Sequence, residues 1–303
     1  MAGTRKTAVA VVLAALALTA TACNNNDEKK ADSAAPTTAA TGSTASAAPT
    51  GGAKPEKVSP AVYLEQVTQK TSAAKSAKVE ELIKVGQVSM TGKGVASWAD
   101  GLEADLTMDL SGSPMAKLLE PVTGGPNVRY LYTKDAMFMH LGGKAVAGGG
   151  PEWVRYSKAD MAKASGGSSD QLQSADPVQG VRTLIAGGKI TEVGPETVNG
   201  KATTHYSGVL SADDVAKATS QGMSQEQVDK LKQKLTAAGI TSDKIDVWVD
   251  ADQLVVKRRE QAEAKAGTMD ITVTYSDYGT PVNATAPKDF TTLADLQKAG
   301  ATD

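Results

Sequence analysis

Cys23 is the only thiol in the chain, and His140 and His205 are its only imidazoles. A disulfide or a thiolate metal site needs a second cysteine, and a histidine cluster needs rings that lie closer together than these. No metal, cofactor or catalytic residue is therefore assigned. Ser72-Ala73-Ala74-Lys75 has the S-x-x-K spacing that lets a lysine serve a nucleophilic serine. No K-T-G or S-D-N segment completes such a site, and solvated helix surface is the simpler reading. The acid pair Asp213-Asp214 sits at a helix start, where capping and the helix dipole account for it. The glycines of 142–150 lack the strand, G-x-G-x-x-G and helix context of a phosphate loop. With no His-Ser-Asp arrangement either, the chain is expected not to be an enzyme.

The chemistry open to Cys23 is acylation. Arg5 and Lys6 precede an apolar run from Ala8 to Leu18, and Thr19-Ala20-Thr21-Ala22 leads into the cysteine. That run is long enough for the core of an export signal and well short of the ~20 residues that span a bilayer. Residues 1–22 are thus expected to be a signal peptide. A cysteine directly after small residues resembles the lipobox of bacterial lipoproteins. There the thiol takes diacylglycerol and becomes the first residue of the mature chain. Ala20 stands where Leu, Val or Ile is usual, and plain secretion with an incidental cysteine is the other reading. Acylation at Cys23 implies a lipid anchor at the extracytoplasmic face of the cell membrane.

Residues 23–57 hold Ala, Thr, Ser, Pro, Gly, Asn and Lys with almost no large apolar side chain, so burial cannot offset their conformational entropy. They read as a spacer with an r.m.s. span of roughly 30–35 Å. Loss of residues 1–22, which carry Arg5 and Lys6 and no acid, moves the formal charge from −2 to −4. Basic and acidic side chains are intermixed, which argues against nucleic acid as a partner.

Residues 58–293 are expected to form one domain and 294–303 a tail. Ser59-Pro60 opens a helix to about Ala74. The period then becomes two, with strands expected over 79–88, 94–98 and 102–110 and a break at Thr91-Gly92-Lys93. Two further strands at 128–133 and 137–141 form a hairpin, and 152–156 is another. Helical spacing returns within 158–186. Asn199-Gly200 turns a hairpin over 189–210, because that dipeptide suits a type I′ turn. Ser211 and Ser224 begin two helices, and 244–250, 254–260 and 268–275 are strands joined too tightly for parallel crossovers.

About ten strands and three or four helices predict an α+β fold: one wide, curved antiparallel sheet, a half-open β-barrel, with helices on its concave face. A gap between curved sheet and helices suits an apolar ligand. Alternation alone offers Leu106, Met108, Leu110, Met137, Met139, Val247, Val249, Ile271 and Val273 as cavity candidates, with ordinary core packing as the competing role for each.

Three segments carry a resemblance. They are Asn199 to Gly208, Ile245-Asp246-Val247-Trp248-Val249-Asp250, and Tyr275 to Val282 with Ala286-Pro287. In this order they are similar to the signatures of the actinobacterial LppX/LprA/LprF/LprG-type lipoproteins, whose fold is like that of the LolA and LolB carriers. The resemblance implies a LolA-like half-barrel with an apolar cavity that takes acyl chains of lipids or glycolipids. The expected function is therefore an envelope lipoprotein that binds or carries such a ligand. The alternative is a cargo-free sensor module that engages an envelope protein partner.

Overall fold

Ser59 and Pro60 open the first helix as their types require. In the protein's computed structural model, which describes residues 58–142, 149–164, 176–219, 224–265 and 267–301, Ser59 Oγ accepts the Val62 N–H and Pro60 takes the first helical position. The expected signal peptide, Cys23 and spacer lie outside the described residues. This helix, α1 (Pro60–Ala73), buries Leu64, Val67 and Thr71 along one stripe. It ends at Lys75, whose φ of 66° turns the chain out of the helix, so the S-x-x-K pair straddles a helix terminus. Thr71 fastens that end: its hydroxyl accepts the Val255 N–H, and its carbonyl accepts the Trp98 indole N–H, each at 3.3 Å.

Three strands follow, β1 (Ser76–Val85), β2 (Val88–Ser97) and β3 (Glu103–Gly112), then α2 (Met115–Thr123). Next come β4 (Asn127–Tyr132), β5 (Ala136–His140), β6 (Trp153–Ser157), α3 (Lys158–Ala164) and α4 (Pro177–Gly187). The remainder is β7 (Thr191–Val198), β8 (Lys201–Ser211), α5 (Ala212–Thr219), α6 (Gln225–Ala237), β9 (Ser242–Asp250), β10 (Val255–Ala264), β11 (Gly267–Ser276), β12 (Thr291–Thr292) and α7 (Leu293–Ala301). One twelve-stranded curved sheet results, in the order β12-β6-β5-β4-β3-β2-β1-β11-β10-β9-β8-β7. Neighbours are antiparallel throughout except β12 and β6, which are parallel.

The wide α+β sheet expected from the alternation is present, with two differences. The first turn lies at Gly86-Gln87, not at Thr91-Gly92-Lys93: Gly86 has φ 57° and Val85 pairs directly with Val88. Gly92 is a mid-strand residue over which Glu81 and Met108 converge; a Cβ there would lie 2.5 Å from Met108 Sδ and 2.8 Å from Glu81 Oε1. Beyond residue 293, where a tail was expected, α7 continues to Ala301, with Leu293 and Leu296 packed against the sheet. Its start is capped by Thr292 and Asp295, a reciprocal pair with an Oγ1 to Oδ2 distance of 2.6 Å. The Asn199-Gly200 turn stands as expected, with φ of 49° and 79°.

One face of the sheet carries the helices. Under α1 and α4 a packed cluster includes Leu64, Val67, Val79, Leu184, Ile245, Val247, Val249 and Val273. Under α2 and α7 a second includes Leu110, Leu119, Val122, Met139, Val154 and Leu293. Arg258 is buried beneath α4, and Gly180 of that helix leaves room for it: a Cβ at Gly180 would collide with Arg258 Cδ.

The opposite face is mainly polar and is tied across β7, β8 and β9. His205 Nδ1 lies 2.8 Å from Glu196 Oε1 and its Nε2 2.8 Å from Asp246 Oδ1, while the ring stacks on Trp248 at 4.3 Å. The Trp248 indole donates to Glu196 Oε2 at 2.7 Å, and Lys257 sits 4.1 Å over the same indole.

Two outcomes check this account. Gly180→Ala must push α4 off Arg258, so the urea midpoint should fall by an amount equivalent to about 1–3 kcal/mol, the usual cost of overpacking. The Trp248 hydrogen bond, followed by that of His205, holds the Glu196 carboxyl below the usual glutamate range. A depressed carboxylate stabilises the fold above its unfolded value of about 4.3, and that contribution is lost as pH falls through the folded value. The Trp248 indole proton resonance should therefore shift on acidification with a midpoint below the ordinary glutamate value of about 4.3. In Glu196→Gln that movement should vanish.

Candidate functional site

The helix-covered face is not packed evenly. Between the two clusters, Ile83, Met90, Met108, Tyr130, Met137 and Ile271 project on the helix side yet remain half-buried. Register explains why they meet. Ile83 opposes both Met90 and Ile271, Leu106 opposes Tyr130, Tyr130 opposes Met139, and Tyr132 opposes Met137. A row of large apolar side chains thus crosses β11, β1, β2, β3, β4 and β5, half-buried along the margins of the two helical clusters.

Methionine dominates the row, and its unbranched thioether adapts to irregular apolar shapes. Tyr130 and Tyr132 stack with centroids 6.4 Å apart. Burial pushes the hydroxyls of Tyr130 and Tyr156 up to about 12 and that of Tyr132 higher still, so all three stay protonated donors. At the end of the row nearest α4, burial also raises the Glu81 carboxyl, with Arg258 opposing the shift. Among the described residues no group of three or more His, Cys, Asp or Glu side chains is placed to hold a metal ion.

Of the cavity candidates read from alternation, Met108, Met137 and Ile271 lie in this row. Leu106, Val247, Val249 and Val273 belong to the packed cluster under α1 and α4, and Leu110 and Met139 to the one under α2 and α7. Alternation identifies the face correctly but cannot say where along it a helix will lie. Tyr130, Tyr132, Met90 and Ile83 were missed, although each shares its strand's apolar register. Glu81 carried a usable signal: it breaks the run Val79, Ile83, Val85 on one strand face, and a charge there needs a partner or a purpose. The polar face also bears a shallow groove between Glu80, Thr91, Lys93 and Thr107, whose mixed charges and hydroxyls suit water.

No protein-family model matches the chain. It is 40% identical over 254 residues to an uncharacterized Streptomyces griseus protein encoded between rplA and rplJ, covering 80% of this chain and 82% of that one. A candidate lipoprotein of Streptomyces coelicolor is 31% identical over 296 residues, covering 93% and 92%. Among solved structures the chain is similar to Mycobacterium tuberculosis lipoprotein LppX, with TM-score 0.44, 14% identity, and coverage of 75% of this chain and all of that one. Mycobacterium bovis LprF gives 0.42 and 16%, covering 76% and 99%. With relatives above 30% identity aligned over most of both chains, the protein belongs to the lipoprotein family represented by these Streptomyces sequences.

Proposed function

We propose that this protein is a membrane-anchored envelope lipoprotein that holds an acyl-chain ligand, such as a lipid or glycolipid, on the helix-covered side of its sheet. The observation that carries the reading is the row of half-buried Met, Ile and Tyr side chains between two packed clusters. Each methylene removed from water there contributes about 0.8 kcal/mol. Association costs on the order of 4–15 kcal/mol, which a chain of roughly sixteen carbons, at about 13 kcal/mol, offsets over most of that range. The anchor at Cys23 supplies the other half of the reading. Diacylglycerol on that thiol brings two acyl chains, and two are what stable membrane attachment requires. The spacer of residues 23–57 then lets the domain work at about 30–35 Å from the surface while staying captured.

To test cargo, the full chain carrying Cys23→Ala is produced in a Streptomyces host, extracted with organic solvent and analysed by mass spectrometry. A stoichiometric acyl lipid is expected; a lipid-free protein would remove the reading. Met108→Trp puts a bulkier side chain into the row and should lower the recovered lipid about tenfold, near 1.4 kcal/mol. The anchor has its own check. Cys23→Ala should shift the protein from the membrane pellet to the soluble fraction, and an unchanged distribution would refute acylation there.

A further inference from the structure

Strand register lines up two rows of side chains across the polar face of the sheet. Thr272, Leu82, Thr91, Asp109 and Asn127 are successive cross-strand partners on β11, β1, β2, β3 and β4. Two residues along each strand, Thr274, Glu80, Lys93, Thr107 and Arg129 form the second row. With strands ~4.8 Å apart, each row runs for roughly 19 Å, and the two rows lie about 7 Å from one another. Arg129 and Asp105 stand at one end as a bidentate pair, Nε to Oδ1 at 2.8 Å and Nη2 to Oδ2 at 2.7 Å. Arg259, the partner of Thr272 on β10, holds Asp270 in the same way at the other end. Shorter side chains lie between these locked pairs, and they line a groove of about 410 Å³, the size of a small-ligand cleft.

The polar groups of this groove are left open. Glu80 and Lys93 are direct partners of opposite charge, yet among the described residues neither makes an ion pair, and the side chains of Thr91, Thr107 and Asn127 make no hydrogen bond. Hydroxyls, an amide and mixed charges that suit water suit a polyol for the same reason. Lys93 beside Glu80 and Asn127 beside Asp109 each set a donor next to an acceptor, which matches the C=O and N–H of an acetamido group. Other polymers fit less well. β1, β2 and β3 use their backbone groups on neighbours at both sides, so a peptide cannot add here as a strand. Glu80 and Asp109 oppose a phosphate backbone. We propose that the groove binds a neutral polysaccharide strand bearing hydroxyl and acetamido groups, laid across the five strands. The proposal takes the envelope location from the function above and is independent of lipid holding, which uses the opposite face.

The full chain carrying Cys23→Ala is sedimented with protein-free cell-wall sacculi of a Streptomyces host, with soluble chitotetraose or polyphosphate as competitor. The parent protein should pellet with the sacculi and be released by chitotetraose but not by polyphosphate. Thr91→Val combined with Thr107→Val removes two hydroxyls while keeping side-chain shape and strand preference. Lys93→Ala removes the ammonium beside Glu80. Each variant should raise the half-saturating amount of sacculi at least fivefold, with melting curves confirming the fold and the recovered lipid unchanged. Failure of the parent to pellet, binding that survives both variants, or release by polyphosphate would overturn the polysaccharide site while leaving lipid holding intact. Pelleting that persists in a lipid-free preparation supports the groove and leaves the lipid-holding reading to its own test.

Discussion

The pairing of β1 with β11 is the constraint on which the rest of the sheet depends. Eight residue pairs, from Lys78 with Ser276 to Val85 with Met269, join segments from opposite ends of the domain. From this seam β2 to β6 are laid outward to one side, with β12 closing that side, and β10 to β7 to the other. Gly86 and Gly267 meet at its end, where a Cβ on Gly267 would lie 2.9 Å from Gly86 Cα. Loop closure over so long a stretch is entropically expensive and must precede the contacts that repay it. Each half is a series of local hairpins that can form early, and the seam joins them.

Once the seam is set, helix placement divides the interior. α1 and α4 cover the late strands and the start of β1, held by Thr71 to β10 and by the fit of Gly180 to Arg258. α2 and α7 cover the far strands. The half-buried row is what remains between them. Its apolar and charged ends are contiguous because Glu81, on the same strand face as Val79 and Ile83, lies at the boundary of both.

Much of this was legible in the residues. Leu102 to Leu110 and Ile245 to Val249 alternate so strictly that their strand faces could be assigned at once, and Asn199-Gly200 named its own turn. The Gly86 turn was hidden because Thr91-Gly92-Lys93 has an equally turn-like composition; only the presence of Glu81 and Met108 above Gly92 decides between them. α7 was missed because a chain end with one leucine pair gives too short a period, although Thr292 and Asp295 form a recognisable cap. Which apolar residues line the row and which are packed core depends on where helices from distant parts of the chain come to rest. Alternation is local and carries no such information.

The two margins of the sheet are not equivalent. β7 ends one side with eight residues, a register shift at Gly194 and a proline that offers no N–H, all of which discourage another strand from adding there. The other margin is closed by β12 through two residue pairs only, with α7 directly behind it. Opening free energy scales with the bonds and buried area given up, so fluctuations that leave the sheet intact are concentrated at this margin. The second cluster, Met-rich around its rim, is therefore reached from solvent by releasing one short helix, at far less cost than parting any central pair of strands.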